Sequence, residues 1–136
     1  DEMYELYKDK GITKIVGVES RGFVMAAALA GRLKAGVVLA RKPGKLPATV
    51  IKESFSKEYG VDTIEMHLDS INENDVVLIH DDLLATGGTA KAAYKLVKHM
   101  NPKEIYMNFI VEIRDEGLHG RDLFDGIVDV TTLMVV

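Results

Sequence analysis

The 136-residue chain contains no cysteine, so it can form neither a disulfide framework nor a thiolate metal site. Long hydrophobic runs are also missing, because every apolar stretch is too short to cross a membrane. The first residues lack the pattern of a signal peptide. We therefore expect a cytoplasmic protein with no membrane partner.

Positive charge is in deficit, since 17 lysines and arginines stand against 21 acidic residues and give a net charge of −4. This balance argues against a nucleic-acid partner. The composition is otherwise that of a globular enzyme or binding domain, and the length suits one domain with a real core. One basic segment is an exception, with Arg41, Lys42 and Lys45 close together. Taken alone, it is most simply interpreted as a solvated surface turn.

Hydrophobic periodicity predicts an α/β fold. It indicates helices at 2–8, 23–32 and 89–100, and strands at 12–18, 37–40, 49–55, 63–68, 76–79, 105–111 and 127–136. We expect a mainly parallel twisted sheet with helices on both faces, and a projecting β-hairpin around Glu58-Tyr59-Gly60. In such sheets ligands bind beyond the carboxyl ends of the strands. Glu19–Gly22, Arg41–Lys45 and His80–Thr89 directly follow strands and should converge there.

The segment Ala85-Thr86-Gly87-Gly88-Thr89 has the composition of a phosphate site. Paired glycines let backbone N–H groups turn towards an anion, and the helix that follows adds its dipole and free donors. The two threonine hydroxyls suit phosphate oxygens. The absence of a Gly-Lys-Ser/Thr sequence excludes a P-loop, and the absence of G-x-G-x-x-G spacing excludes a dinucleotide fingerprint.

Asp81 and Asp82 precede this segment and would repel a phosphate, so they should face another part of the ligand. The vicinal hydroxyls of a sugar, or Mg²⁺ bridging them, are natural partners for paired carboxylates. Phosphate and diol together predict a ribose 5-phosphate. The alternative is a glycine turn that caps a helix after a solvated acidic pair, but the complete order of elements favours a functional site.

Residues Val76–Thr89 resemble the phosphoribosyl pyrophosphate (PRPP) signature of type I phosphoribosyltransferases, in the form found in adenine-specific members. Three more segments are similar to that family in the same order, namely Gly17–Phe23, Arg41–Pro47 and Glu58–Asp62. A weaker similarity lies at Gly120–Asp122. The resemblance covers essentially the whole chain and implies the fold of that family.

The resemblance also implies an activity: PRPP and adenine react to give AMP and pyrophosphate in purine salvage. Mg²⁺ would be carried with PRPP, with no direct protein ligand, and the protein would be a homodimer. Two alternatives stay open, a non-catalytic domain that senses PRPP or AMP, and transfer to another purine. Family members usually carry an N-terminal hood over the base that has no match here, so we expect residues 1–136 to be a single core domain, truncated at its N-terminus.

Roles for individual residues follow from the same resemblance. Arg21, Arg41, Lys42 and Lys45 would hold the pyrophosphate, which replaces the surface-turn interpretation of the basic segment. Glu58 would be the general acid/base, and Tyr59 would belong to the catalytic loop that closes over the site. Asp81 and Asp82 would bind the ribose, and Leu83 would pack against the base. The 5-phosphate would be bound by Ala85, Thr86, Gly87, Gly88 and Thr89.

Two further expectations concern residues outside this set. His80 is interpreted as a structural histidine at the edge of its strand rather than a ligand. Asp75 is interpreted as an ordinary solvated loop acid. No pair of histidines has metal-ligand spacing.

Overall fold

The computed structural model describes residues 2–18, 22–40, 50–57, 60–67, 70–84, 88–112 and 129–135. Within these ranges, none of the helices has the length and apolar character needed to cross a membrane. The prediction of a single core domain shortened at its N-terminus stays a prediction.

Three helices and seven strands make up the described part of the chain. They follow one another in the order α1 (Glu2–Tyr7), β1 (Lys14–Val18), α2 (Gly22–Leu33), β2 (Gly36–Ala40), β3 (Val50–Lys57), β4 (Gly60–His67), β5 (Val76–Leu84), α3 (Gly88–His99), β6 (Glu104–Glu112) and β7 (Asp129–Val135). The predicted order of elements is confirmed, and the largest difference in bounds is in β5, which extends five residues beyond the predicted end.

Five strands form a parallel sheet in the order β2-β1-β5-β6-β7. Its central strands are apolar on both faces because helices cover both sides, as expected for a parallel sheet. Strands β3 and β4 pair antiparallel as a separate hairpin, from Val50 opposite His67 to Lys57 opposite Gly60. The predicted fold class is therefore confirmed.

The core is divided by the sheet into two layers. The layer that contains α3 includes Val16, Val77, Ile79, Leu96 and Met107. The layer that contains α1 and α2 includes Met3, Tyr7, Ile15, Leu29 and Leu78. Successive residues of β5 alternate between these layers, as the two-residue period of a strand requires.

The hairpin is anchored to the body of the protein. Strand β3 contacts α3, and β4 contacts α3 and β2. Met66 of β4 is fully buried in the layer that contains α3. The base of the predicted hairpin is thus part of the core.

Left-handed residues follow all three helices. Gly11, after α1, has φ of 70°, Lys34, directly after α2, has φ of 58°, and Asn101, after α3, has φ of 53°. Beside Lys34, the amide of Ala35 donates to the carbonyl of Ala30 at 3.0 Å. Glycine adopts this conformation without strain, whereas lysine does not.

Candidate active site

The strand order places a ligand crevice between β1 and β5. From β1 the chain passes through α2 to β2 on one side, and from β5 it passes through α3 to β6 on the other. The two helices lie on opposite faces of the sheet. Such a reversal opens a crevice at the carboxyl ends of the two strands, where open α/β sheets bind ligands.

Strand β5 carries Asp81 and Asp82 into this crevice. We predicted that the strand would end at Ile79, but it continues to Leu84, with Asp81 paired to Phe109 of β6. Both aspartates are partly exposed, and the Asp81 carboxylate accepts a hydrogen bond from the Asp82 amide at 2.7 Å. The prediction placed these acids in a loop, and it was wrong because polar residues at the end of a buried strand still pair with the neighbouring strand.

Their position in a strand gives the two aspartates different surroundings. Ile79 belongs to the α3 layer, so alternation directs Asp81 to that face and Asp82 to the face of α1 and α2. A ligand that contacts both carboxylates must therefore span the edge of the sheet. The pair suits two adjacent hydroxyls better than one point-like partner.

Helix α3 begins at Gly88, four residues after β5 ends. Thr89 is partly buried in its first turn, which contains no acidic residue. The first N–H groups of a helix have no partner within the helix, and no acidic side chain in this turn offsets the positive end of the dipole, so this helix start favours an anion. The last turn contains Lys98 and His99, which complement the negative end.

Several predicted site residues lie outside the described residues, and their roles stay predictions. These are Arg21, Arg41, Lys42, Lys45, Glu58, Tyr59, Ala85, Thr86 and Gly87. Among the described residues, Ala40 at the end of β2 is the register partner of Val18 at the end of β1, at the same edge of the sheet as Asp81. The backbone of Leu83 pairs with Val111 within β5 and β6.

His80 is buried in the middle of β5, so its interpretation as a strand-edge residue is wrong. Its Nδ1 lies 3.1 Å from Oδ1 of Asn108, its register partner on β6. The Asn108 amide nitrogen donates to Oγ1 of Thr131 on β7 at 2.9 Å. That hydroxyl contacts the Tyr7 hydroxyl, which donates to the Met107 carbonyl at 3.2 Å. Four side chains from α1, β5, β6 and β7 thus form one buried polar network.

The hydrogen bonds assign the tautomer of His80. Because the Asn108 amide nitrogen faces the Thr131 oxygens, its Oδ1 is the acceptor for His80 and Nδ1 carries the proton. Burial lowers the pKa of His80, against the opposing effects of Asn108 and of the negative charge on Asp82. Burial therefore favours the neutral form of the ring, and among the described residues its Nε2 has no hydrogen-bond partner.

Asp75 is buried at the opposite end of β5 and is not the solvated loop acid that we expected. Its carboxylate accepts hydrogen bonds from the Thr13 hydroxyl at 2.8 Å and the Asn72 amide at 2.9 Å, and pairs with Lys14 at 3.3 Å. Burial raises the pKa of Asp75. The hydrogen bonds from the Asn72 amide, Thr13 and Lys14 and the charge of Lys14 together lower it by more, so the net shift of the pKa is downward. Sequence alone missed this because two of the partners, Thr13 and Lys14, lie more than sixty positions away.

Comparisons with known proteins agree with this geometry. A family model for the phosphoribosyl transferase domain matches residues 2–126. An adenine phosphoribosyltransferase of Phocaeicola vulgatus is 60% identical over all of this chain and 77% of its own length, and one of Bacteroides thetaiotaomicron is 59% identical over 98% and 75%. Among solved structures, an adenine phosphoribosyltransferase of Rhodothermus marinus has a TM-score of 0.90 at 46% identity, covering 98% of this chain and 75% of that one. The Giardia lamblia enzyme complexed with 9-deazaadenine has a TM-score of 0.91 at 41% identity, covering 99% and 76%.

Proposed function

Because the chain belongs to the phosphoribosyltransferase family, we propose that it transfers ribose 5-phosphate from PRPP to adenine, giving AMP and pyrophosphate. This is a pentosyl transfer of purine salvage. The observation that carries the proposal is the crevice between β1 and β5, where Asp81 and Asp82 lie at the carboxyl end of β5 and α3 begins four residues after that strand. The adenine type is supported by the identity to relatives of that name.

The two ends of the stretch from Asp81 to Thr89 bind different parts of the ligand. The first turn of α3, with Thr89 and the preceding Ala85, Thr86, Gly87 and Gly88, binds the 5-phosphate through backbone N–H groups and hydroxyls. Asp81 and Asp82 accept hydrogen bonds from the ribose hydroxyls across the edge of the sheet. Leu83 packs against the base.

Transfer breaks the bond between C1 of the ribose and the pyrophosphate oxygen, which leaves with the electron pair. N9 of adenine forms the new bond to C1, and its proton passes to Glu58 as general base. The ribose ring gains positive charge as the bond breaks, and the carboxylates of Asp81 and Asp82 stabilise it electrostatically. Arg21, Arg41, Lys42 and Lys45 neutralise the leaving pyrophosphate, and the segment with Tyr59 excludes water.

The described residues fit a magnesium ion that arrives with PRPP. Among them there is no group of three acidic or histidine side chains able to hold a metal. Asp81 and Asp82 would instead hold the ion indirectly, by binding the ribose hydroxyls of the PRPP that carries it. Bound Mg²⁺ would supply charge neutralisation for the pyrophosphate. The protein itself would bind the ribose hydroxyls and the phosphate and keep them in the orientation needed for transfer.

We further propose that the protein works in the cytoplasm as a homodimer with small-molecule substrates, PRPP and adenine. Purified protein with Mg²⁺, PRPP and radiolabelled adenine should form labelled AMP and one equivalent of pyrophosphate. Guanine and hypoxanthine in parallel reactions test the base. Turnover of guanine or hypoxanthine without adenine would overturn the adenine assignment, and PRPP binding by calorimetry with no turnover of any purine would select the sensing alternative.

A further inference from the structure

The polar network behind β5 lies in one row of the sheet. Gly17, His80, Asn108 and Thr131 are register partners on β1, β5, β6 and β7. His80 and Asn108 are fully buried, and each adjoins the apolar run of its strand. Buried polar groups of this kind destabilise a core unless they bond to one another, so the row is a built feature rather than an accident of composition.

The hydrogen bonds of the row join its side chains into one network. His80 Nδ1–H donates to Asn108, the Asn108 amide donates to the hydroxyl and the carbonyl of Thr131, Thr131 and Tyr7 share a hydrogen bond, and both of these hydroxyls reach the Met107 carbonyl. Because the Asn108 amide nitrogen faces the Thr131 oxygens, its Oδ1 accepts from His80, which fixes the imidazole in one tautomer and one orientation. We name these four side chains the row network.

The row network ends next to the ribose-binding carboxylates. His80 precedes Asp81 directly, and Asp82 is the next residue on the same face of β5. Two residues apart on one face of a strand, the side chains of His80 and Asp82 are neighbours, and the negative charge of Asp82 opposes the lowering of the pKa of His80 by burial. Asp81 and Asp82 are partly exposed, so His80 is the fully buried side chain that directly precedes the ribose site.

We propose that His80 is a positioning residue, which through the row network holds the end of β5 and directs Asp82 towards the ribose. The proposal rests on the proposed function, since it assigns Asp82 to the ribose of PRPP. It assigns no chemical step to His80. Groups that support a reacting constellation typically act in this way, by restricting the rotamers of the residues that touch substrate.

Substitutions at both ends of the row network test the proposal. His80→Leu removes the donor to Asn108 at similar volume, whereas His80→Asn keeps an N–H donor near the position of Nδ1. Tyr7→Phe removes only the hydroxyl oxygen at the other end of the row network. Tyr106→Phe is the matched control, because that hydroxyl lies on the same strand as Asn108 but donates to Glu104 at the surface, at 2.8 Å.

We expect His80→Leu to lower kcat for AMP formation about tenfold, since a misplacement of about 1 Å costs up to about a hundredfold. His80→Asn should recover kcat to within about threefold of wild type, and Tyr7→Phe should lower it about threefold, with Tyr106→Phe unchanged. Rates are measured well below each melting temperature, so that lost stability does not lower them. Wild-type kcat in folded His80→Leu, equal impairment in His80→Asn and His80→Leu, or equal rates in the two tyrosine variants would overturn the proposal.

Two NMR measurements decide the proposal without turnover. The imidazole ¹⁵N spectrum should show a protonated Nδ1 and an unprotonated Nε2. The amide resonance of Asp82 should shift in His80→Leu and Tyr7→Phe but stay in place in Tyr106→Phe. An Asp82 resonance that is unmoved in both row-network variants would refute the positioning role even if AMP forms, whereas a wild-type protein that forms no AMP would refute the proposed function instead.

Discussion

Removal of the Asp75 carboxylate should destabilise the protein through the start of the strand that carries the site. In Asp75→Ala the Asn72 amide loses its bond at 2.9 Å, but Asn72 is exposed and water can replace the acceptor. Thr13 can turn to the Val76 carbonyl at 3.3 Å, and Lys14 keeps the Ser70 carbonyl at 3.2 Å. Hydrogen bonds to a charged acceptor contribute about 1.5–3 kcal/mol each, and partial replacement reduces the total loss to about 2–3 kcal/mol.

Urea unfolding followed by circular dichroism measures this loss. The folded-state pKa of Asp75 is lowered, so its contribution is complete above the unfolded value of about 3.8 and disappears as the pH falls through the folded value. The difference between wild type and Asp75→Ala should therefore persist at pH 5 and shrink below about pH 4. Asp9→Ala, in an exposed turn, is the control and should change stability by less than about 0.5 kcal/mol. An equally small change in Asp75→Ala would refute the reasoning.

Three other predictions concern the site strand and the helix ends. Burial lowers the folded-state pKa of His80, so its contribution to the free energy of unfolding should be lost as the pH falls below about 6.5, by at most about 1.4 kcal/mol per pH unit. The urea midpoints at pH 7.5 and pH 5.5 should therefore differ more in wild type than in His80→Asn, and equal differences would contradict this prediction. Asp81→Asn combined with Asp82→Asn should reduce AMP formation at least about a hundredfold while circular dichroism stays unchanged, and an active double variant would refute the ribose assignment. Lys34→Gly should raise the free energy of unfolding by about 1 kcal/mol and Gly11→Ala should lower it by about the same amount, because both positions are left-handed. A Cβ at Gly11 would meet no other atom among the described residues, so the loss there would come from backbone strain and not from a clash. The same sign of change in both variants would refute the backbone argument.

The sheet and its helices could be predicted because each element has a local signal. Apolar runs such as those of β1 and α3 carry their own period, and glycine or proline marks their ends. The phosphate segment was predicted in the same way, since an acidic pair, two glycines and a helix start follow one another between Asp81 and Thr89. Elements and motifs whose residues are contiguous in the chain can therefore be predicted from the sequence.

The row network and the Asp75 cluster could not be predicted because their partners are distant in sequence. Tyr7 and Thr131 lie 124 positions apart, and Thr13 and Asp75 lie 62 apart. The extension of β5 past Ile79 was missed for a related reason, since its last residues pair with β6 in spite of their polarity. One signal was present: His80 and Asn108 each adjoin an apolar run, and a polar side chain buried in a core needs a hydrogen-bond partner.

The location of the ribose 5-phosphate site is the central claim, and amide chemical shifts during titration with AMP test it most directly. The crevice between β1 and β5 predicts that the largest shifts occur at Asp81, Asp82, Gly88 and Thr89. Asp75, at the other end of β5, should be almost unaffected. Largest shifts at Asp75 or at the end of α3 near His99, with no change at Asp82 and Thr89, would contradict the account.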